Sequence, residues 1–185
     1  VAEYVNTLQK NAFGTYSEIL KAISLSPAMG FYLDNHQNNK WSLNENYGRE
    51  LMQLFSVGLV QLNIDGSAKR DSNNKPIETY GQAEVVTATK MLTGWNFAPI
   101  EKLHVNESNW ANFAKPMVAN SDAHVTDEVK HIYGNVIAVG QTAEKDLDSL
   151  IDILVKHPNT GPFVSLRLIQ GMTTSDPSRL HRQGG

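Results

Sequence analysis

The chain has 185 residues, is 41% hydrophobic and 19% charged, and carries a formal net charge of −3 with no cysteine. These proportions are ordinary for a globular protein long enough to bury a real core, and the missing cysteines exclude disulfides, thiolate metal sites and cysteine nucleophiles while leaving the redox compartment open. Scattered basic residues, clustered no further than Lys69-Arg70, argue against nucleic-acid binding, and no run approaches the ~20 apolar residues of a membrane span.

The first third reads as helical. VAEYVNTLQK places Val1, Tyr4, Val5 and Leu8 on one helical face. In TYSEILKAISL, Thr15 and Glu18 have the spacing of a capping box. Ser26-Pro27 restarts a short helix, because proline suits a first turn and the residue before it avoids helical angles. DNHQNNKW is a polar loop. Ser42 and Glu45 repeat the S-x-x-E spacing, so the next helix is expected to begin near Leu43, with Tyr47, Leu51, Leu54, Phe55 and Gly58 on one face.

Residues 60–79 lose the helical period and carry turn signals at Asp65-Gly66 and Asn73-Asn74, which predicts a small β-hairpin insertion. A second strong helix is expected from Tyr80 to Trp95. Residues 96–141 form a loop-rich segment, the stretch 96–123 being a long irregular loop. TAEKDLDSLIDILVKHP then gives an apolar stripe of Leu147, Leu150, Ile151, Leu154 and Val155, acids in the first turn, Lys156-His157 in the last, and Pro158 as a stop. GPFVSLRLIQGM is the final helix. The expected architecture over 1–185 is one all-α domain with a hairpin insertion and a long loop.

Three places concentrate chemistry. In the 80–95 helix, Tyr80, Ala83, Glu84, Thr87, Met91 and Gly94 share a side of the wheel, so Glu84 falls within an apolar stripe. A buried carboxylate needs a partner, and Arg49 on the preceding helix is the natural one. That contact is equally what a structural ion pair and a cleft carboxylate with a tuned pKa would make. The second place is NENYGRE, where Asn44, Glu45, Asn46, Arg49 and Glu50 can orient a ligand or simply form a solvated helix face with a Glu45–Arg49 pair. The third is HVTDEVKH. If helical, His124, Asp127, Glu128 and His131 share a face, and His124, Asp127 and His131 would suit a divalent metal, although surface histidines near acids are more often solvated than ligating. Ser56, Ser165 and Ser175 have no local support as nucleophiles, and G-x-S-x-G, S-x-x-K and H-E-x-x-H are missing.

Taken together, PAMGFYLDNHQN, NENYGRELMQLFSVGL, the Tyr80–Glu84 helix start, MLTGW and HPNTGPFVSLRLIQ resemble the bacterial domain-of-unknown-function family numbered eighteen hundred. The resemblance runs from about Phe13 to Ser178. It falls on Asn44, Glu45, Asn46, Arg49, Glu50, Glu84, Thr93, Gly94 and Trp95, and on His124. Val125 stands where the family has an acid, Asp127 and Lys130 echo the family pattern only roughly, and Met172-Thr173 replace an Arg followed by Leu-Val, so the resemblance implies an altered member. Family chains are typically longer, many are exported, and they are often encoded beside another exported protein. The resemblance therefore implies a cell-envelope or periplasmic location and an exported partner protein, and it does not supply a function. No signal-peptide pattern is present, which says little; the chain starts at Val1 rather than Met and stops at RQGG, so a fragment of a longer chain is expected.

Two functions follow as expectations. One is a hydrolase in which Glu50, Glu84 and His124 supply acid–base or metal-ligand groups and Arg49 stabilises negative charge, with a divalent metal as its cofactor and a small-molecule or polymer substrate. The other is a non-catalytic helical module of an exported assembly, in which the Glu–Arg pairs fix packing. A solvent-connected pocket joining Glu50, Glu84, Arg49 and His124 would favour the first.

Overall fold

Local chemistry at the first turn, a cap in some helices and a proline in another, decides where several of them begin. The computed structural model describes residues 2–100 and 112–173; Val1, residues 101–111 and residues 174–185, with Ser175 and the closing RQGG, lie outside the described residues. Helix α1 (Ala2–Lys10) rests on α2 but buries none of its residues. Helix α2 (Tyr16–Ser24) starts at the predicted capping box: the Thr15 side chain accepts from the Glu18 N–H, and the Glu18 carboxylate accepts from the Thr15 N–H at 2.6 Å. Helix α3 (Pro27–Tyr32) opens on its proline.

Helix α4 (Asn46–Gln53) begins three residues later than expected. The Ser42 N–H is drawn into a turn by the Asn39 side chain at 3.0 Å, and the Asn46 N–H is instead capped by Asn44 Oδ1 at 3.0 Å. The helix also stops before Leu54, which is half-exposed rather than part of the buried face. Residues 60–79 are held by bridges at Val60–Glu78, Leu62–Ala68 and Arg70–Pro76, with turns at Gly66 and Asn74, both at positive φ.

Helix α5 (Gln82–Met91) lies at the centre. It packs on α4, on strand β3 (Lys130–Ile132) and on helix α6 (Ala143–Lys156). Leu51 and Met52 from α4, Val85, Ala88 and Met91 from α5, and Leu147, Leu150 and Leu154 from α6 are fully or almost fully buried there. Each of these side chains except the Ala88 methyl contributes about 1.5–3 kcal/mol by leaving water. Tyr47 joins them, its hydroxyl donating to Ser24 Oγ at 2.7 Å; burial raises the Tyr47 pKa. Helix α7 (Thr160–Met172) follows a tight corner after α6.

The molecule is mainly helical rather than purely so. Strand β1 (Trp95–Asn96) pairs antiparallel with β2 (Val118–Ala119), and β3 pairs with β4 (Asn135–Ile137) across a Tyr133-Gly134 turn. The described part of 96–141 thus contains short strands that hold its loops to the helical core. Strands of two or three residues are too short for alternation alone to mark them, and the Tyr133-Gly134 turn is the local signal for the second pair.

Candidate functional site

NENYGREL serves packing at its first turn. The Arg49 guanidinium contacts Glu45 Oε2 at 2.8 Å and Gln82 Oε1 at 3.2 Å, while Gln82 Nε2 donates to Glu45 Oε1 at 2.8 Å. The triangle ties the start of α4 to the start of α5. Asn38 Oδ1 also accepts from the Asn44 N–H at 3.1 Å and Asn38 Nδ2 donates to the Thr89 carbonyl at 2.9 Å, so a buried asparagine couples the segment leading into α4 to α5.

Glu84 is not in the buried stripe. The inward face of α5 is Val85, Ala88, Thr89 and Met91, and Glu84 is partly exposed. Because α5 starts at Gln82, Glu84 occupies the third helical position and accepts from the Gly81 N–H at 2.8 Å. Its partner is therefore the helix terminus and not Arg49. The Glu50 carboxylate makes no hydrogen bond or ion pair among the described residues, but it and Arg49 lie close enough to Tyr80 to act on its titration. Burial is the main reason the Tyr80 pKa rises. Tyr133 lies beyond Tyr80 and Glu84. Burial first, then those two groups, raise its pKa. Its ring stands 4.6 Å from that of His157, whose pKa is lowered by burial. Tyr133 also has φ +47, a left-handed conformation uncommon for a bulky side chain. Thus Glu50, Glu84 and Arg49 gather loosely about two tyrosines at the N-terminal end of α5.

His124 is elsewhere. Its Nδ1 is 2.9 Å from the Thr93 carbonyl, one residue beyond the C-cap of α5. Nine residues separate Thr93 from Glu84, roughly 13 Å of helix at ~1.5 Å per residue. The predicted four-residue site is therefore split between the two ends of one helix.

At the His124 end lies the densest ionic network of the described residues. Asp146 Oδ2 is 2.8 Å from Lys130 Nζ and 3.2 Å from His124 Nε2, and all three side chains have 0% exposure. A carbonyl can only accept, so His124 Nδ1 carries a hydrogen toward Thr93. The Thr93 hydroxyl donates to the Lys90 carbonyl at 2.7 Å and accepts from the Val125 N–H at 3.0 Å. Lys130 Nζ also donates to the Val125 carbonyl at 2.6 Å. Thr93 and Lys130 thereby fix both main-chain groups of Val125. Gly94, at φ +86, makes this closeness feasible: a Cβ there would stand 2.8 Å from the Asn120 carbonyl and 3.0 Å from His124 Cβ.

HVTDEVKH is not helical. After a 3₁₀ turn at Ser121–Ala123 the chain passes through a bend at Asp127-Glu128 into β3, where alternation buries Lys130 and Ile132 and turns His131 outward. His124 is buried and Asp127 exposed, so the one-face arrangement behind the metal reading is not formed. No group of three or more histidine and acidic side chains converges among the described residues. Lys130 and Asp146 were missed as a pair. Reading VKHIYGNVI as a hairpin about Tyr-Gly would have placed Lys130 on the inner face.

Over Val125 opens a surface groove of about 420 Å³, lined also by Lys40, Trp41, Leu43, Lys90, Asp127 and Glu128. Lys90 pairs with Glu128 at 2.8 Å. The network beneath thus secures the groove floor.

The chain matches the model of the family described as "Protein of unknown function (DUF1800)" over residues 1–183, and it belongs to that family. No curated protein and no solved structure matches it.

Proposed function

We propose that this family member is a non-catalytic helical module whose ionic residues hold its framework and the floor of a surface groove. One observation carries the reading: His124, Asp146 and Lys130, the most concentrated set of acid–base groups described, are shut off from solvent and engage one another. A general acid or base must reach a substrate proton within hydrogen-bond distance, and no such approach exists to these atoms without opening the core. The Glu45–Arg49–Gln82 triangle and the Glu84 cap have evident structural uses of the same kind. The envelope location and the exported partner implied by the family pattern form part of the proposal, and fractionation of the native host would check the location.

The test is hydrolysis of chromogenic esters and phosphoesters by the folded chain, with and without a chelator. The module reading expects no turnover above buffer. Turnover abolished by Glu84→Gln or by the chelator would overturn it in favour of a hydrolase. That second reading draws on one observation, the left-handed Tyr133 beside His157, with Glu84 and Tyr80 acting on it. Strained residues cluster at functional sites, and an imidazole with a lowered pKa is available as a base near neutral pH.

A further inference from the structure

We propose that the groove at Trp41 binds a neutral saccharide, with the indole as its stacking platform. The proposal goes beyond the module reading and does not rest on it, because turnover tests that reading and binding tests this one.

Trp41 is 72% exposed although it sits within a constrained turn. Asn39 Oδ1 accepts from the Trp41 N–H at 3.1 Å and from the Ser42 N–H at 3.0 Å, and the Lys40 N–H donates to the Ala123 carbonyl at 2.9 Å. An apolar ring of this size held in water by an ordered backbone loses little conformational entropy on binding. The turn is tied through Ala123 to the segment that carries His124 and Val125, so the platform and the groove floor belong to one hydrogen-bonded unit.

The groove chemistry selects the ligand. Its charged groups are Lys40, Lys90, Asp127 and Glu128, two cations and two anions. An ionic ligand meets repulsion as well as attraction there, whereas a polyhydroxylated neutral ligand can donate to the carboxylates and accept from the ammonium groups. Asp127 has no hydrogen bond or ion pair among the described residues, and Lys90 and Glu128 pair at the partly exposed wall of the groove. Lys40 Nζ lies over one face of the indole, 5.0 Å from the ring centroid, leaving the other for the C–H face of a pyranose. A volume of about 420 Å³ falls within the range of small-ligand sites.

The experiment is calorimetric titration of the chain with neutral hexasaccharides of glucose, xylose and N-acetylglucosamine. Affinity electrophoresis in gels containing neutral or uronate polysaccharides accompanies it. Binding of at least one neutral glycan, weakened about tenfold or more by Trp41→Ala and largely retained by Trp41→Phe, is expected; tenfold corresponds to about 1.4 kcal/mol. Trp41 is exposed, so circular dichroism of the variant should match that of the parent. No neutral glycan bound at millimolar concentration, binding indifferent to Trp41→Ala, or retention by uronate gels alone would each overturn the proposal.

Discussion

Lys130 Nζ stands 2.8 Å from Asp146 Oδ2, and neither side chain reaches solvent. Desolvating two charges costs so much that such a pair adds little net stability over apolar residues of the same volume, but removing one partner strands the other. Lys130→Met should therefore lower the unfolding free energy by about 3–5 kcal/mol, measured by urea titration. Lys130→Met combined with Asp146→Leu should lose less than the single variant. A double variant at least as damaged as the single one would assign the network a role other than charge compensation.

Gly94 is pinned by conformation and by space. Its φ of +86 is strained for any L side chain, and the Asn120 carbonyl lies where a Cβ would go. Gly94 also accepts from the Asn120 N–H at 2.7 Å and donates to the Asn38 carbonyl at 2.9 Å, so the segment cannot simply move aside. Gly94→Ala should cost at least the about 1–3 kcal/mol of a disfavoured backbone conformation. A fall in thermal midpoint would report it, and an unchanged midpoint would show that the 120–124 segment yields.

The sequence-readable features are those decided within one turn of chain. Thr15 and Glu18 cap α2 because both partners of the box are local, and Pro27 opens α3 for the same reason. Ser42 and Glu45 have the same spacing, yet Asn39 competes for the Ser42 N–H and the box fails. Glu84 was legible as a residue with a special duty but not as a cap, since the face turned to the core is that of Val85, Ala88, Thr89 and Met91 and the start at Gln82 puts Glu84 at the third helical position. The Asp146–Lys130 pair required knowing that β3 alternates inward at Lys130 and that α6 returns against it. Asp146 alone looks like an ordinary first-turn acid favoured by the helix dipole.

Asn159 closes the corner between α6 and α7 against the 57–62 segment. Its Oδ1 accepts from the Leu62 N–H at 2.6 Å, and its Nδ2 donates to the carbonyls of Val57 and Val60 at 2.7 and 2.9 Å. Truncation leaves these main-chain groups unpaired in a largely buried place, at about 1–3 kcal/mol each. Asn159→Ala should destabilise the chain by about 3 kcal/mol or more and speed amide exchange at Leu62. Unaltered protection of that amide would contradict the assignment.

Two substitutions at Glu84 separate a hydrogen-bonding cap from a need for its charge. Glutamine satisfies the third position of a capping box as glutamate does, so Glu84→Gln should leave stability within about 0.5 kcal/mol of the parent. Glu84→Ala, which frees the Gly81 N–H, should cost about 1 kcal/mol, typical of a lost terminal hydrogen bond. Chemical denaturation of both variants checks the order. Equal large losses would mean that the carboxylate charge, and not the hydrogen bond to Gly81, is what α5 requires.

His157 gives stability a pH dependence of known sign. Burial lowers its folded pKa below the ordinary value near 6.5, and its ring packs against that of Tyr133. The unfolded chain therefore binds the proton more readily than the folded one, and linkage makes stability fall as pH drops below neutrality. The loss begins around the unfolded value and levels off once pH has passed the lower folded value, where both states are protonated. Above neutrality the imidazole is neutral in both states and contributes no slope. His157→Gln should flatten this part of the profile, so the stability difference between parent and variant shifts against the parent on acidification. Unfolding titrations from pH 7.5 to 5 read the difference directly. A parent-minus-variant difference constant over that range would mean that His157 titrates alike in the folded and unfolded chain.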